Sequence, residues 1–441
     1  MSFITNIRSV AKYESKILVR SWFFRIFTLL AVVFLGFFNF AMMLMEDNFG
    51  LWFAKSVSSN IPYLNLLLLN TGQAVVAVFL SSEFLKRDKK LDTSEVFYVR
   101  PLSNAEYVIG KIWGNLRVFL LLNLLVLAIV LAFNFMASGI TVDWQAYGVY
   151  FLLISLPTLI FIIGLSIFLM LVLRNQALTF ILLLGYIGLT LFYIQDKFYY
   201  LFDYMVYNLP LFKSTIVGFS SLELILNHRA IYFFAGLGFI FFTIFLFKRL
   251  PNARRSHYPW LFLSLCMFLL AGTAGYRHVR SILREGEIRA LYTSINNKYV
   301  HEPKIAIDWY DISVEQKPET ICSVVGMKGT ALATSEIFTF CLNPGLKVGE
   351  VKEGEKPLDF KREEQILAVD FGRKIEKGDT ISLSICYEGR IKDDFCYLDI
   401  PEEVLQQPYD KEMLKLDKKY SFQTPDYVLF TPETYWYPRP G

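Results

Sequence analysis

Seven long apolar runs occupy the first two thirds of the chain, and no other feature limits its folds so sharply. They lie near Ile26–Met45, Ile61–Ser81, Val118–Met136, Tyr147–Leu173, Ala177–Ile194, Ala230–Phe247 and Tyr258–Ala274. A helix needs about 20 apolar residues to cross roughly 30 Å of hydrocarbon, and each run is near that length. The hydrophobic content of 54% and aromatic content of 17% exceed those of an ordinary soluble domain, and most of the excess precedes Gly275. The expectation is a membrane-embedded all-α bundle of six spans plus one linking span.

Cations fix its orientation. With the N-terminus inside, cytoplasmic segments hold Arg8, Lys12, Lys16, Arg20 and Arg25, then Lys86, Arg87, Lys89, Lys90, Arg100, Lys111 and Arg117, then Arg174, then Lys248, Arg249, Arg254 and Arg255. The opposite segments hold only Lys55, Lys197, Lys213 and Arg229. Short loops rich in Lys and Arg stay in the cytosol, which places everything after Ala274 outside it. The net charge of +4 is small and tied to loops, so it reads as orientation signal and excludes nucleic acid as a partner.

Residues 1–25 read as an amphipathic interfacial helix: Arg8, Lys12, Lys16 and Arg20 share one face beside acidic lipid headgroups. Phe3, Ile7, Val10 and Ile17 fall on another face, which Glu14 interrupts. In the loop 82–117, Asp92–Glu95 and Ser103–Glu106 each set a side-chain oxygen three residues before a glutamate, and Arg100–Pro101 separates them. That spacing predicts a short helix over Thr93–Tyr98, a turn, and a second helix; an ordinary solvated loop is the alternative. Residues 196–229, aromatic and broken by Pro210, suit a re-entrant or interfacial pair of short helices, with an eighth span as the alternative.

Strongly polar residues within the spans are few: Asn65, Asn70 and Gln73 in the second, Asn123 and Asn134 in the third. Amides in lipid must find partners, so these form interhelical hydrogen bonds or line a substrate route. The lack of a carboxylate, histidine or lysine relay argues against a proton-driven carrier.

After Arg284 short alternating runs replace the continuous ones. Tyr276–Ala290 reads as a helical continuation, making 258–290 a seventh span and linker. Ile305–Val314, Ile321–Val325, Glu336–Leu342, Ile366–Phe371, Thr380–Tyr387 and Asp394–Ile400 read as strands, with turns at Gly329, Asn343–Gly345, Glu353–Gly354 and Lys377–Asp379. Residues 291–441 are therefore expected to form an extracytoplasmic all-β sandwich. Cys322, Cys341, Cys386 and Cys396 all fall there. Outside the cytosol four cysteines allow two bridges; proximity favours Cys322 with Cys341 and Cys386 with Cys396, against free buried thiols.

No phosphate-binding glycine loop occurs, since Gly110–Lys111 lacks the earlier glycine and the hydroxyl residue. No zinc-binding histidine pair occurs either: His228, His257, His278 and His301 are scattered. The chain is expected not to be an enzyme by itself, with no catalytic residue, metal or cofactor of its own.

Two stretches resemble known families. Residues 1–250 resemble the membrane subunit, or permease, of type 2 ABC exporters, in the amphipathic first helix, six spans, cytosolic loop after the second span and outer segment before the sixth. Thr93–Lys111, with Pro101–Leu–Ser103 at its turn and Gly110–Lys111 leading into the third span, is similar to that family's coupling segment. The resemblance implies ATPase coupling through Thr93, Glu95, Val96, Phe97, Tyr98 and Arg100, ATP and magnesium on a partner ABC ATPase, and a homodimer or heterodimer of permeases. Phe340–Leu346, Lys377–Asp379, Ile385–Ile391 and Trp436–Pro438 are similar to the N-terminal β-domain of zinc aminopeptidases of the leukotriene-hydrolase type, and to bacterial proteins that fuse an ABC permease to such a peptidase. That likeness implies a bacterial inner membrane, a periplasmic C-terminal domain and a zinc peptidase domain or partner; this chain stops at Gly441 before any zinc ligand, so no peptidase activity carries over. The competing function class is a membrane-anchored β-domain that binds a peptide or recruits a zinc peptidase.

Overall fold

The computed structural model describes residues 3–44, 57–82, 102–136, 141–194, 197–207, 209–214, 218–219, 221–247, 258–398, 400, 421–425 and 427–441. The chain divides into two compact units, one reaching Arg280 and one beginning at Ser281.

The first unit is helical. Its elements are α1 (Phe3–Arg20), α2 (Trp22–Leu44), α3 (Asn60–Ser82), α4 (Asn104–Met136), α5 (Trp144–Tyr150), α6 (Leu156–Leu173), α7 (Gln176–Phe192), α8 (Leu222–Leu246) and the start of α9 (Tyr258–Tyr299). Among the described residues six helices are long and apolar enough to cross a bilayer: α2, α3, α4, the run Trp144–Leu173, α8 and α9; α7, of 17 residues, is a shorter apolar one. α3 sits centrally and packs on α4, α6 and α7, while α1 lies along α4 and α8 along α6.

Glycine permits two close helix crossings. A Cβ at Gly110 would stand 2.7 Å from Val10 Cβ, and one at Gly114 would stand 2.8 Å from the Ala11 carbonyl, so the Gly110–Gly114 spacing lets α1 lie directly against α4. A Cβ at Gly164 would stand 2.6 Å from the Gly236 carbonyl, and one at Gly236 2.7 Å from the Phe161 backbone, which closes α6 onto α8.

α5 runs into α6 through a π-turn, Phe151–Ser155. Pro157 explains it. Proline has no N–H for the carbonyl four residues back, Leu153, and that carbonyl takes Arg229 Nε instead, at 2.6 Å.

Two expectations need correction. α4 begins at Asn104, so Lys111 and Arg117 belong to a packed helix and not to the loop. Between α7 and α8 the described residues form no pair of short helices and no eighth span: they hold one short 3-10 turn at Phe198–Tyr200, further turns and irregular chain, and a minimal hairpin of β1 (Lys213–Ser214) with β2 (Gly218–Phe219). Pro210 and side chains that capture the backbone there account for it.

The second unit is a β-sandwich. Its strands are β3 (Ile305–Gln316), β4 (Ile321–Ala331), β5 (Ser335–Cys341), β6 (Leu346–Glu353), β7 (Lys356–Pro357), β8 (Asp359–Glu363), β9 (Ile366–Ile375), β10 (Thr380–Gly389), β11 (Ser421–Gln423), β12 (Val428–Phe430) and β13 (Arg439–Pro440). One main sheet has the order β3-β4-β10-β6-β7 and the other β13-β5-β9-β8, β11 and β12 form a separate two-stranded pair, and pairing is antiparallel throughout. Inward residues of both sheets share one core: Val325, Met327, Phe338, Phe340, Val369, Phe371, Leu383 and Ile385. The predicted turn at Gly329 is instead mid-strand in β4, beside a bulge at Ile307–Trp309, where a Cβ would meet the Ala306 carbonyl at 2.3 Å. The predicted strand Asp394–Ile400 is a series of turns over its described residues, and β6 and β8, too polar to alternate clearly, were not predicted.

The end of α9 packs within this second unit. Tyr292 meets Phe395 edge-on at 5.2 Å, Gln365 Nε2 donates to the Tyr292 carbonyl, and Lys298 pairs with Glu363 at 2.7 Å.

Candidate functional site

The coupling residues Thr93, Glu95, Val96, Phe97, Tyr98 and Arg100 lie outside the described residues. What the structure does describe is the junction the loop enters. Ser103 and Glu106 form a capping box at the start of α4: Ser103 N donates to Glu106 Oε2 at 2.6 Å, and Glu106 N to Ser103 Oγ at 3.1 Å. The same glutamate accepts from Asn6 Nδ2 of α1 at 2.8 Å. Next door, Asn104 Nδ2 donates to the Phe247 carbonyl closing α8, at 2.6 Å, and the Tyr107 and Phe247 rings stack at 5.5 Å. One turn of α4 therefore holds both α1 and α8.

Further along, Lys111 pairs with Glu14 at 3.0 Å, with side chains 3% and 6% exposed. Ser15 Oγ donates to the Gly114 carbonyl at 2.7 Å, and Arg117 donates to Ser15 Oγ at 2.5 Å and to the Ala11 carbonyl at 3.0 Å. Glu14, which interrupts the apolar face of α1 in the sequence, thus completes the contact with α4. Arg8, Lys12, Lys16 and Arg20 remain exposed on the opposite face.

All five predicted intrahelical amides are buried and bonded. Asn65 exchanges paired amide bonds with Asn39 of α2, at 2.7 and 3.0 Å. Asn134 Nδ2 donates to the Tyr147 hydroxyl at 3.3 Å. Asn70, Gln73 and Asn123 come together: Gln73 Nε2 donates to Asn70 Oδ1 at 3.0 Å, Asn123 Nδ2 to Gln73 Oε1 at 2.7 Å, and Ser155 Oγ to Asn123 Oδ1 at 2.6 Å.

Arg229 was missed. Counted as an outside cation, it is 2% exposed inside the bundle, and donates to the Leu153 carbonyl at 2.6 Å, the Tyr204 carbonyl at 3.1 Å and Thr158 Oγ1 at 2.8 Å. The signal was present: a span whose internal Pro157 strips a carbonyl of its donor needs a replacement. Near the hairpin, Lys213 pairs with Asp143 at 2.5 Å, Ser59 Oγ donates to the Lys213 carbonyl at 2.5 Å, and Lys213 N donates to the Tyr150 hydroxyl at 2.9 Å.

The expected disulfides are absent. Cys322, Cys341, Cys386 and Cys396 are free thiols. Sheet geometry gives the reason: Cys322 on β4 and Cys386 on β10 occupy the outer face of the five-stranded sheet, whereas Cys341 ends β5 in the other sheet and is buried. Adjacency in sequence put each cysteine with a residue of a different layer or face. Burial pushes the Cys341 and Cys396 thiols up to about 12. Burial first, then the nearby Cys322, raises Cys386. Among the described residues no group of three histidine, cysteine or acidic side chains could hold a metal.

No protein-family model and no curated protein matches the chain. Among solved structures, matches include the M1 zinc metallopeptidase from Deinococcus radiodurans and a two-domain M1 zinc metallopeptidase bound to L-arginine. Each is 17% identical, with a TM-score of 0.19, over 20% of this chain and 21% of that one. The chain spans about a fifth of the length of these structures, and a likeness of this size carries no functional argument.

Proposed function

We propose that the helical unit is the membrane subunit of an ATP-driven transporter of the type 2 ABC exporter kind, in a bacterial plasma membrane. Its N-terminus is cytoplasmic, its β-domain extracytoplasmic, and a second copy or a related permease completes the route. ATP and magnesium act on a partner ATPase; this chain performs no chemistry of its own. The observation that carries this reading is the junction at Ser103–Glu106. A loop that only linked two spans would need a helix cap there, and nothing more. Here the first turn of α4 is also bonded to α1 through Asn6 and to α8 through Asn104, so force on residues 93–100 would reach three helices at once. Tilting of that rigid group between two packed arrangements supplies alternating access.

A photo-crosslinking residue at Phe97 or Tyr98, in the full chain in native membranes, tests this. The expected adduct is a nucleotide-binding subunit whose yield changes with ATP. No such adduct under any nucleotide condition would overturn the reading.

A second reading, the membrane-anchored β-domain that binds a peptide or recruits a zinc peptidase, is favoured by the separate closed core of the second unit. Deleting residues 291–441 separates the two: retained crosslinking and transport belong to the first, loss of function with crosslinking intact to the second.

A further inference from the structure

Backbone carbonyls in the segment between α7 and α8 are taken in succession by buried side chains. His278 of α9 donates to the Tyr199 carbonyl at 2.8 Å, His228 of α8 to the Tyr200 carbonyl at 3.0 Å, and the Tyr232 hydroxyl of α8 to the Leu201 carbonyl. Arg229 and Thr158 both donate to the Tyr204 carbonyl, and Asn70 Nδ2 donates to the Met205 carbonyl at 3.0 Å. Four helices supply these donors. They hold a conformation the chain would not choose: Phe198, Tyr199 and Tyr200 have φ of 54°, 58° and 61°. That left-handed region costs a non-glycine residue about 1–2 kcal/mol and persists only where the surroundings impose it.

From Asn70 the capture continues inward as a series. Ser155 donates to Asn123, Asn123 to Gln73, Gln73 to Asn70, and Asn70 to the Met205 carbonyl. Every bond runs donor to acceptor in one direction, from the π-turn to the segment. Ser155, Asn123, Gln73 and Asn70 are each 0% exposed. Bonds arranged in this way polarise one another, and cutting one strands an amide where water cannot replace the partner. The series therefore favours two states, made or rearranged, over gradual loosening.

We propose that Asn123 of α4 is a positioning residue for segment 198–205, acting at a distance through Gln73 and Asn70. Asn70 alone touches the segment. Motion of α4 would withdraw Asn123 from Gln73, leave Gln73 Oε1 without its donor, and weaken in turn the Gln73–Asn70 bond and the hold on Met205. In the transporter this makes the segment a gate that α4 releases. That last role rests on the permease reading; the coupling itself does not.

Hydrogen exchange read by mass spectrometry, on the full chain in lipid nanodiscs with no ATPase present, tests the coupling. The readout is the amides of Leu201, Asp203, Tyr204 and Val206, which bond within the segment. Asn123→Leu is expected to speed their exchange about tenfold, as loss of one buried hydrogen bond with a stranded partner implies. Asn39→Leu, which cuts the separate Asn39–Asn65 pair, is expected to leave them unchanged. Asn123→Leu combined with Asn70→Leu is expected to be no faster than Asn70→Leu alone, because both cut one series. Unchanged exchange in Asn123→Leu overturns the proposal, as does equal acceleration in Asn39→Leu or multiplication of the two effects. The expected shifts together with no adduct at Phe97 would remove the transport role while upholding the coupling.

Discussion

Replacing Glu14 tests how α1 is held to α4. Its carboxylate lies 3.0 Å from the Lys111 ammonium, with both side chains almost fully buried. At an effective dielectric of about 20, two charges at this distance attract by about 5 kcal/mol. Desolvation opposes that gain and costs several kcal/mol per ion, so the pair as a whole contributes little more than two apolar side chains would. The single and double replacements should therefore diverge. Glu14→Leu removes the anion 3.0 Å from an ammonium at a site 2% exposed and should cost about 3 kcal/mol. Glu14→Leu with Lys111→Met removes both charges, fills similar space, and should return to within about 1 kcal/mol of the parent. Equilibrium unfolding of the full chain in mixed micelles, with the detergent denaturant titrated for parent, singles and double, measures the cycle. Additive losses, with a coupling below about 1 kcal/mol, would refute the buried pair as the clamp.

Two further outcomes follow from packing and burial. Gly236→Ala places a Cβ 2.7 Å from the Phe161 backbone, where no side-chain movement relieves it, and should cost about 1–3 kcal/mol in the same unfolding assay; Gly185→Ala, whose added Cβ meets nothing within 4 Å, should cost well under 1. With thiols raised to about 12, Cys341 and Cys396 are ionised in only about one molecule in ten thousand at pH 8, so maleimide should leave them unmodified in the folded chain and react with both after denaturation.

The parts of this architecture that follow from repeated, local patterns were legible in the sequence. Each apolar run became a helix, because nothing else buries 20 consecutive apolar residues with the backbone satisfied. Ser103–Glu106 formed its capping box because that pattern depends only on neighbours three residues apart. The β-domain strands with strict alternation were visible, while β6 and β8 were not, since their outward residues outnumber inward ones. Cysteine pairing failed for a different reason: it depends on which sheet each strand joins, and proximity in sequence does not carry that. The candidate site was harder still. Glu14 and Lys111 lie far apart in the chain, and Arg229 finds Leu153 only because Pro157 left that carbonyl open. A count of cations treats every one as solvated, so it could not see that Lys111 and Arg229 are structural.

That blindness bears on the proposed orientation, which rests on the same count. Discarding Lys111 from the cytoplasmic side and the buried Arg229 and Lys213 from the other leaves sixteen cations against Lys55 and Lys197, a stronger asymmetry than before. The exposed stripe Arg8, Lys12, Lys16 and Arg20 contributes four of the sixteen, and the clamp to α4 fixes that stripe at the end of the bundle where the 83–101 loop enters. On the proposed topology, the clamped helix and residues 83–101 share one side of the membrane. A cysteine at Tyr98 and one at Lys12 should both resist an impermeant maleimide added to intact cells and react once the membrane is opened. Labelling of both from outside would invert the topology and remove the ATPase from reach; labelling of one alone would break the link between α1 and the loop on which the mechanical reading depends.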